Sequence, residues 1–296
     1  MIDEKRLKIM SDKPGFIAAL DQSGGSTPTV LRDYGIPDDT YHTDEEMFNL
    51  AHDMRYRIIA SPDFSSDHIL AAILFEDTMK RTIEGINTCE YLWDKKGIIP
   101  FLKIDQGLDV LKSGAQMMKP IENLNELLEE AKKYNVFGTK MRSLILSANP
   151  VGIKDVVEQQ FELATTIFNQ GFIPIIEPEI DINSPEKGKA EIILKEELLT
   201  SLNNLDSNVK VILKLSLPKI PNFYEELIDH PNVVRLAALS GGFNKAEADK
   251  KLSENKGMIA SFSRALEEGL AYQETDMEFD YALKESINSI YKASIK

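Results

Sequence analysis

The sequence predicts a (β/α)₈ barrel, and three observations point there. Short apolar stretches of strand length alternate with amphipathic helical stretches from one end of the chain to the other, about eight times. Several of those strands carry charged residues toward their carboxyl ends, where barrels collect functional groups. No GxGxxG follows the first strand and no GxxxxGK[ST] occurs anywhere, which disfavours an open doubly wound nucleotide fold. No linker, low-complexity tract or long charge block divides the chain. One barrel domain is therefore expected over residues 1–296, with a short leading helix and a helical tail.

Taken in order, residues 7–10 close the leading helix, and Phe16-Ile17-Ala18-Ala19-Leu20 is the first strand. It runs into Asp21-Gln22-Ser23-Gly24-Gly25-Ser26-Thr27-Pro28. An acid followed by Gly and Ser suits a site, although turn chemistry favours the same residues. Residues 43–60 form a helix, with Thr43 as N-cap and Glu46 at the capping-box position. Apolar strands follow at 69–75 and 97–104. A helix over 121–133 leads to a strand over 136–146. A long helix over 151–170 leads to a strand over 172–180, and a helix over 186–205 to the strand at 209–217. The last two strands are 233–239 and 258–262, and residues 272–296 read as a polar helical tail.

A hydrophobic fraction of 43% supports a large core. The net charge of −14 argues against nucleic acid or an anionic membrane as partner, but not against a phosphorylated substrate held in a local basic pocket. Cys89 is the only cysteine, which excludes an intramolecular disulfide framework and a thiolate cluster for zinc. The N-terminus lacks the apolar run of a signal peptide, and no stretch reaches the ~18 apolar residues of a membrane span. A cytoplasmic protein is expected.

The chemistry centres on Val209-Lys210-Val211-Ile212-Leu213-Lys214-Leu215-Ser216-Leu217, closed by Pro218. Alternation puts Val211, Leu213, Leu215 and Leu217 on one face and Ile212, Lys214 and Ser216 on the other. A buried ammonium is costly unless paired or neutralised, and a neutral buried amine attacks carbonyl carbon. An ion-paired lysine would be the ordinary alternative. Other strands add charge of the same kind. Lys140 and Arg142 share a face, as do Glu177 and Glu179. Lys103 ends the third strand, Asp21 follows the first, and Arg264 lies just past the eighth. So many charges aimed at one barrel mouth are hard to explain as separate structural ion pairs.

A lysine that attacks a ketone passes through a carbinolamine to an iminium. Glu177 and Glu179 can supply the proton shuttling, and Lys140 can disfavour the charged form of the nucleophile. Asp21 can take a hydroxyl proton from the leaving fragment. Ser240-Gly241-Gly242 offers backbone N–H groups after the seventh strand. With Arg264 these fit the phosphate site that barrels build from their last two loops. Ser23, Ser26, Lys103 and Arg142 can hold a second anion across the mouth.

These stretches resemble the class I fructose-1,6-bisphosphate aldolases. The matching residues are Ala18-Ala19-Leu20-Asp21-Gln22-Ser23-Gly24-Gly25-Ser26, Phe101-Leu102-Lys103-Ile104-Asp105, Lys140-Met141-Arg142, Ile176-Glu177-Pro178-Glu179-Ile180, Leu213-Lys214, Leu239-Ser240-Gly241-Gly242 and Ser261-Phe262-Ser263-Arg264-Ala265-Leu266. They run from the first strand to the eighth. The resemblance implies a barrel without metal or other cofactor. It also implies Schiff-base cleavage of the hexose bisphosphate to dihydroxyacetone phosphate and glyceraldehyde 3-phosphate, in glycolysis and gluconeogenesis. It assigns Lys214 as the Schiff-base lysine, Glu177 as acid/base, Lys140 as second lysine and Asp21 as the cleavage carboxylate. Ser240, Gly241 and Arg264 match its C1-phosphate site, and Ser23, Ser26 and Lys103 its C6-phosphate side. The chain departs from the family's pattern at Gln22, where many members carry an acid, and at Ser263, where many have Gly. Animal members end in a functional tyrosine, and no such role is carried over to Tyr291.

Other readings are a Schiff-base aldolase for tagatose or sedoheptulose bisphosphate, a metal-dependent barrel enzyme, and a non-catalytic sugar-phosphate binder. His42, His52, His68 and His230 lie outside the carboxyl-end positions and show no paired spacing, against a metal site. The Lys214, Glu177 and Asp21 set argues against mere binding, which needs no nucleophile. A homo-oligomer is admitted by the sequence but not required by it.

Overall fold

Eight parallel strands close on themselves in the computed structural model, which describes residues 2–296. They are β1 (Phe16–Leu20), β2 (Ile69–Leu74), β3 (Ile99–Lys103), β4 (Gly138–Ile145), β5 (Ile173–Ile180), β6 (Val211–Ser216), β7 (Val233–Leu239) and β8 (Met258–Phe262). Each pairs with its sequence neighbours, β1 pairs with β8, and β3 pairs directly with β4 through Lys103 opposite Lys140. The expected strands are all present. The structure trims several by one or two residues, because pairing ends where the strands splay toward their loops.

Strand alternation sorts the apolar residues into two cores. Ile17, Ala19, Ile73, Phe101, Ile175, Ile212, Ala237 and Ile259 fill the barrel interior. Leu213, Leu215, Met141, Ile176 and Phe262 belong to the larger core under the helices. This confirms that Lys214 shares its face with Ile212 and points inward.

The leading helix Glu4–Asp12, capped by Asp3, closes the amino end of the barrel and buries Met10 in the interior cluster. Arg235 holds it there by donating to Met10 O at 2.7 Å and Lys13 O at 3.0 Å. Helix Asp44–Ala60 begins with the expected capping box of Thr43 and Glu46. Helices Leu124–Lys133, Pro150–Asn169 and Lys187–Asn204 precede β4, β5 and β6 in the chain, close to the expected spans. The tail helix, Asp276–Ser294, packs outside β8, where Ser294 Oγ accepts from Ala260 N. Tyr291 packs edge-on against His68, beside the amino end of β2, so it stands far from the strand ends that carry the charged residues. No described helix is long and apolar enough to cross a membrane.

Candidate active site

The carboxyl end of the barrel opens into a cavity of about 500 Å³. Lys214 is the fourth residue of β6, buried to 4% exposure, with Ala237 of β7 as its register partner. Glu177 sits on β5, whose register with β6 pairs Ile175 with Ile212 and Ile176 with Leu213. Its carboxylate lies 3.0 Å from Lys214 Nζ through Oε1 and 3.1 Å from Lys140 Nζ through Oε2. Lys140 Nζ is in turn 2.6 Å from Asp21 Oδ2. Three strands and the residue just past β1 thus contribute one continuous chain of alternating charge: Lys214, Glu177, Lys140, Asp21. Lys214 is ion-paired rather than isolated, and its partner is the acid that sequence reasoning put beside it.

The backbone that carries Glu177 is fixed from outside the barrel. Gln160, fully buried in helix Pro150–Asn169, accepts from Glu177 N at 2.8 Å and donates to Ser143 Oγ at 3.0 Å. Both oxygens of the carboxylate are then available to face lysines.

Electrostatics follow from this crowding. Burial alone would lower the Lys140 ammonium, but the facing carboxylates of Asp21, Glu177 and Asp105 raise it well above the usual lysine range. Lys140 therefore stays a cation. Burial would raise the Asp21 carboxyl, but Lys140 and Lys214 outweigh it and bring it down to about 2.

All but one of the remaining expected residues line this cavity: Ser23, Ser26, Lys103, Arg142, Glu179, Ser240, Gly241 and Arg264. Among them Lys103 is paired with Asp105 at 2.8 Å, and Arg142 with Glu179 Oε2 at 2.5 Å. Glu179 therefore fixes Arg142 rather than standing beside Lys214. Gly241, at φ +61°, turns the chain where an added Cβ would meet Ile182 at 2.7 Å, so glycine is required. Gly242 does not line this cavity. It lies behind it, against the guanidinium of Arg264, on a neighbouring hollow of about 290 Å³. Arg264 is exposed and makes no ion pair among the described residues, which leaves it available to an anion.

Three features escaped sequence reasoning. Asp105 reaches the site because it lies two residues past Lys103 and keeps the same parity, a signal that was present in the sequence. Ser261 of β8 lines the cavity too. Gln22, noted above as a departure from the resembled pattern, donates to both oxygens of Glu267 at 2.8 Å and to Ser263 Oγ. Arg55 supports the same loop by donating to Gln22 O at 2.5 Å. The amide and the acid thus tie the β1 loop to the β8 loop. Burial pushes the Glu267 carboxyl up to about 7, against the opposing pull of Gln22 and Arg55.

Comparison with known proteins gives a consistent result. The family described as fructose-bisphosphate aldolase class-I matches residues 9–223. The fructose-bisphosphate aldolase class 1 of Clostridium acetobutylicum is 57% identical over 294 residues, covering 99% of this chain and 100% of that one. Its counterpart in Porphyromonas gingivalis is 52% identical over 295 residues, covering 100% of both chains. Among solved structures, fructose-bisphosphate aldolase from Plasmodium falciparum, in complex with TRAP and a small-molecule inhibitor, superposes with a TM-score of 0.76. It shares 18% identity, over 99% of this chain and 94% of that one. An archaeal fructose-1,6-bisphosphate aldolase, with its catalytic Lys bound to the carbinolamine intermediate, gives a TM-score of 0.52 at 9% identity. That match covers 97% of this chain and 98% of the other.

Proposed function

This chain belongs to the class I fructose-bisphosphate aldolase family, and we propose that Lys214 is the lysine through which it works. It is a lyase that cleaves fructose 1,6-bisphosphate reversibly, through a Schiff base, into dihydroxyacetone phosphate and glyceraldehyde 3-phosphate. The proposal extends to residue roles and to a cytoplasmic enzyme of glycolysis that acts as one barrel domain.

Lys214 first gives a proton to Glu177, 3.0 Å away, and the free amine attacks the C2 ketone. Glu177 returns a proton to the resulting hydroxyl, which leaves as water and gives the iminium. Asp21 then takes the C4 hydroxyl proton. The C3–C4 bond breaks, its electrons move into the iminium, and glyceraldehyde 3-phosphate departs as the aldehyde. The enamine left on Lys214 is protonated at C3 as Asp21 gives up the proton it took, and hydrolysis of the resulting iminium releases dihydroxyacetone phosphate and the lysine. Lys140, kept charged by three carboxylates, steadies the negative charge that develops on the oxygens. Ser240, Gly241 and Arg264 receive the C1 phosphate, with Gly242 leaving room for the guanidinium. Ser23, Ser26, Lys103 and Arg142 face the C6 phosphate.

The observation that carries this reading is the unbroken Lys214–Glu177–Lys140–Asp21 chain inside one cavity. Borohydride reduction with dihydroxyacetone phosphate tests it. The ketone's mass should appear on a peptide containing Lys214. Labelling at Lys140 or Lys103 instead would overturn the assignment.

A further inference from the structure

Three carboxylates surround the Lys140 ammonium, at unequal distances. Asp21 Oδ2 is 2.6 Å away, Glu177 Oε2 3.1 Å and Asp105 Oδ2 3.9 Å. The third distance lies beyond a hydrogen bond. Asp105 is nevertheless firmly placed. Its Oδ1 pairs with Lys103 Nζ at 2.8 Å, and the same Nζ donates to Asp105 O at 2.7 Å. One residue earlier, Ile104 N donates to Lys140 O at 2.9 Å, which locks the segment to the strand that carries Lys140. Its other oxygen, Oδ2, is buried and has no hydrogen-bond partner. A buried carboxylate oxygen left unpaired is costly, so its retention beside a lysine calls for a reason.

The reaction supplies one. Asp21 must accept a hydroxyl proton, yet in the resting site Lys140 holds it as a carboxylate of very low basicity. It becomes an effective base only when that ammonium withdraws. A buried ammonium cannot simply be released, because an unpaired charge there is strongly unfavourable. Glu177 Oε2, 3.1 Å from Lys140 Nζ, likewise makes no hydrogen bond in the resting site, but its carboxylate is shared with Lys214 and cannot serve Lys140 alone. Asp105 Oδ2 is in reach of a small shift of the Lys140 side chain.

We propose that Asp105 is a positioning residue that takes over the Lys140 ammonium when Asp21 turns to the substrate hydroxyl. No proton leaves Lys140 in this exchange. It keeps all three and changes one acceptor for another, while the proton that Asp21 gains comes from the substrate. The inference rests on the roles proposed above for Lys214 and Asp21, and it concerns only the cleavage step, not the capture of the ketone.

Two measurements test it. In Asp105→Asn, single-turnover cleavage of fructose 1,6-bisphosphate should fall roughly 10-fold or more, the effect of losing one charge-assisted contact. Capture should persist, so borohydride should trap a larger fraction of uncleaved hexose on Lys214 than in the unmodified enzyme. Asp105→Glu should recover part of the loss. Unchanged cleavage, or equal losses of capture and cleavage, would overturn the proposal. If Asp105→Asn does not fold, a crystal structure of Asp21→Ala decides. Lys140 Nζ should then lie about 2.8 Å from Asp105 Oδ2, and a lysine that ignores Asp105 there contradicts the exchange. Dihydroxyacetone phosphate labelling of the unmodified enzyme is the control. Its failure at Lys214 sinks the functional reading itself, whereas success with unaffected cleavage in Asp105→Asn sinks this inference alone.

Discussion

Lys214 and Glu177 form one ion pair, 3.0 Å from Nζ to Oε1, with both side chains almost fully buried. The lysine proposed as nucleophile therefore faces a carboxylate able to receive its proton. Glu177 also lies 3.1 Å from Lys140 through its second oxygen, so the proposed proton shuttle is held against a cation. Lys214, Glu177 and Lys140 are set by the neighbouring strands β6, β5 and β4, whose spacing is fixed by the sheet.

Chelators should leave activity unchanged. Asp21, Asp105 and Glu177 converge in the cavity, but they converge on the ammonium of Lys140, which fills the place a metal ion would take. Among the described residues no cluster of His, Cys, Asp and Glu is arranged to hold a metal. The assay is cleavage of fructose 1,6-bisphosphate before and after EDTA. A large loss restored by zinc or another divalent metal would contradict the Schiff-base mechanism.

Arg264 should act on the C1 phosphate and little else. A charge-assisted contact contributes about 1.5–3 kcal/mol, or roughly 10- to 100-fold in binding. Arg264→Ala should raise KM for fructose 1,6-bisphosphate by about that factor. Binding of fructose 6-phosphate, which lacks the C1 phosphate, should hardly change. Equal losses on both substrates would remove Arg264 from this site.

Glu267 should make the fold lose stability as pH rises from about 4.5 to about 7. Its carboxyl stands at about 7 in the folded chain against an ordinary 4.5. Between those values the folded state keeps a proton that the unfolded state has released. Stability is therefore fullest below about 4.5 and declines until the folded carboxyl has ionised near 7. Tm measured across this window should fall less steeply in Glu267→Gln than in the unmodified chain. Identical slopes would mean that the Gln22–Glu267 contact does not carry this titration.

Much of this was legible in the sequence because strand parity is a strict rule. Ile212, Lys214 and Ser216 had to share a face, and the structure puts Ile212 in the barrel interior with Lys214 above it. The same parity puts Lys140 with Arg142 and Glu177 with Glu179 on the lining of the cavity. What parity does not provide is pairing across strands. It set Glu179 beside Glu177 as a proton carrier, whereas packing turned it to Arg142. Loops were less legible still. Gly242 was grouped with Gly241, yet its backbone, at φ +114°, turns it to the far side of Arg264. The Gln22–Glu267 contact joins residues 245 positions apart, and nothing local to either announces the other. Gln160 lies on the buried face of a helix, and only its contacts with Glu177 N and Ser143 Oγ explain an amide there.

The central claim is that Lys214 captures the ketone and Asp21 breaks the bond, from different sides of one cavity. Borohydride trapping of Asp21→Ala with fructose 1,6-bisphosphate tests it most directly. Loss of a positioned general base costs roughly 10²–10⁴-fold in turnover, but Lys214, Glu177 and Lys140 remain in place. The adduct should therefore map to Lys214 and carry the mass of the intact six-carbon bisphosphate, while Lys214→Ala yields no adduct. A correctly folded Asp21→Ala that traps nothing would place Asp21 in the capture step and contradict this division of labour.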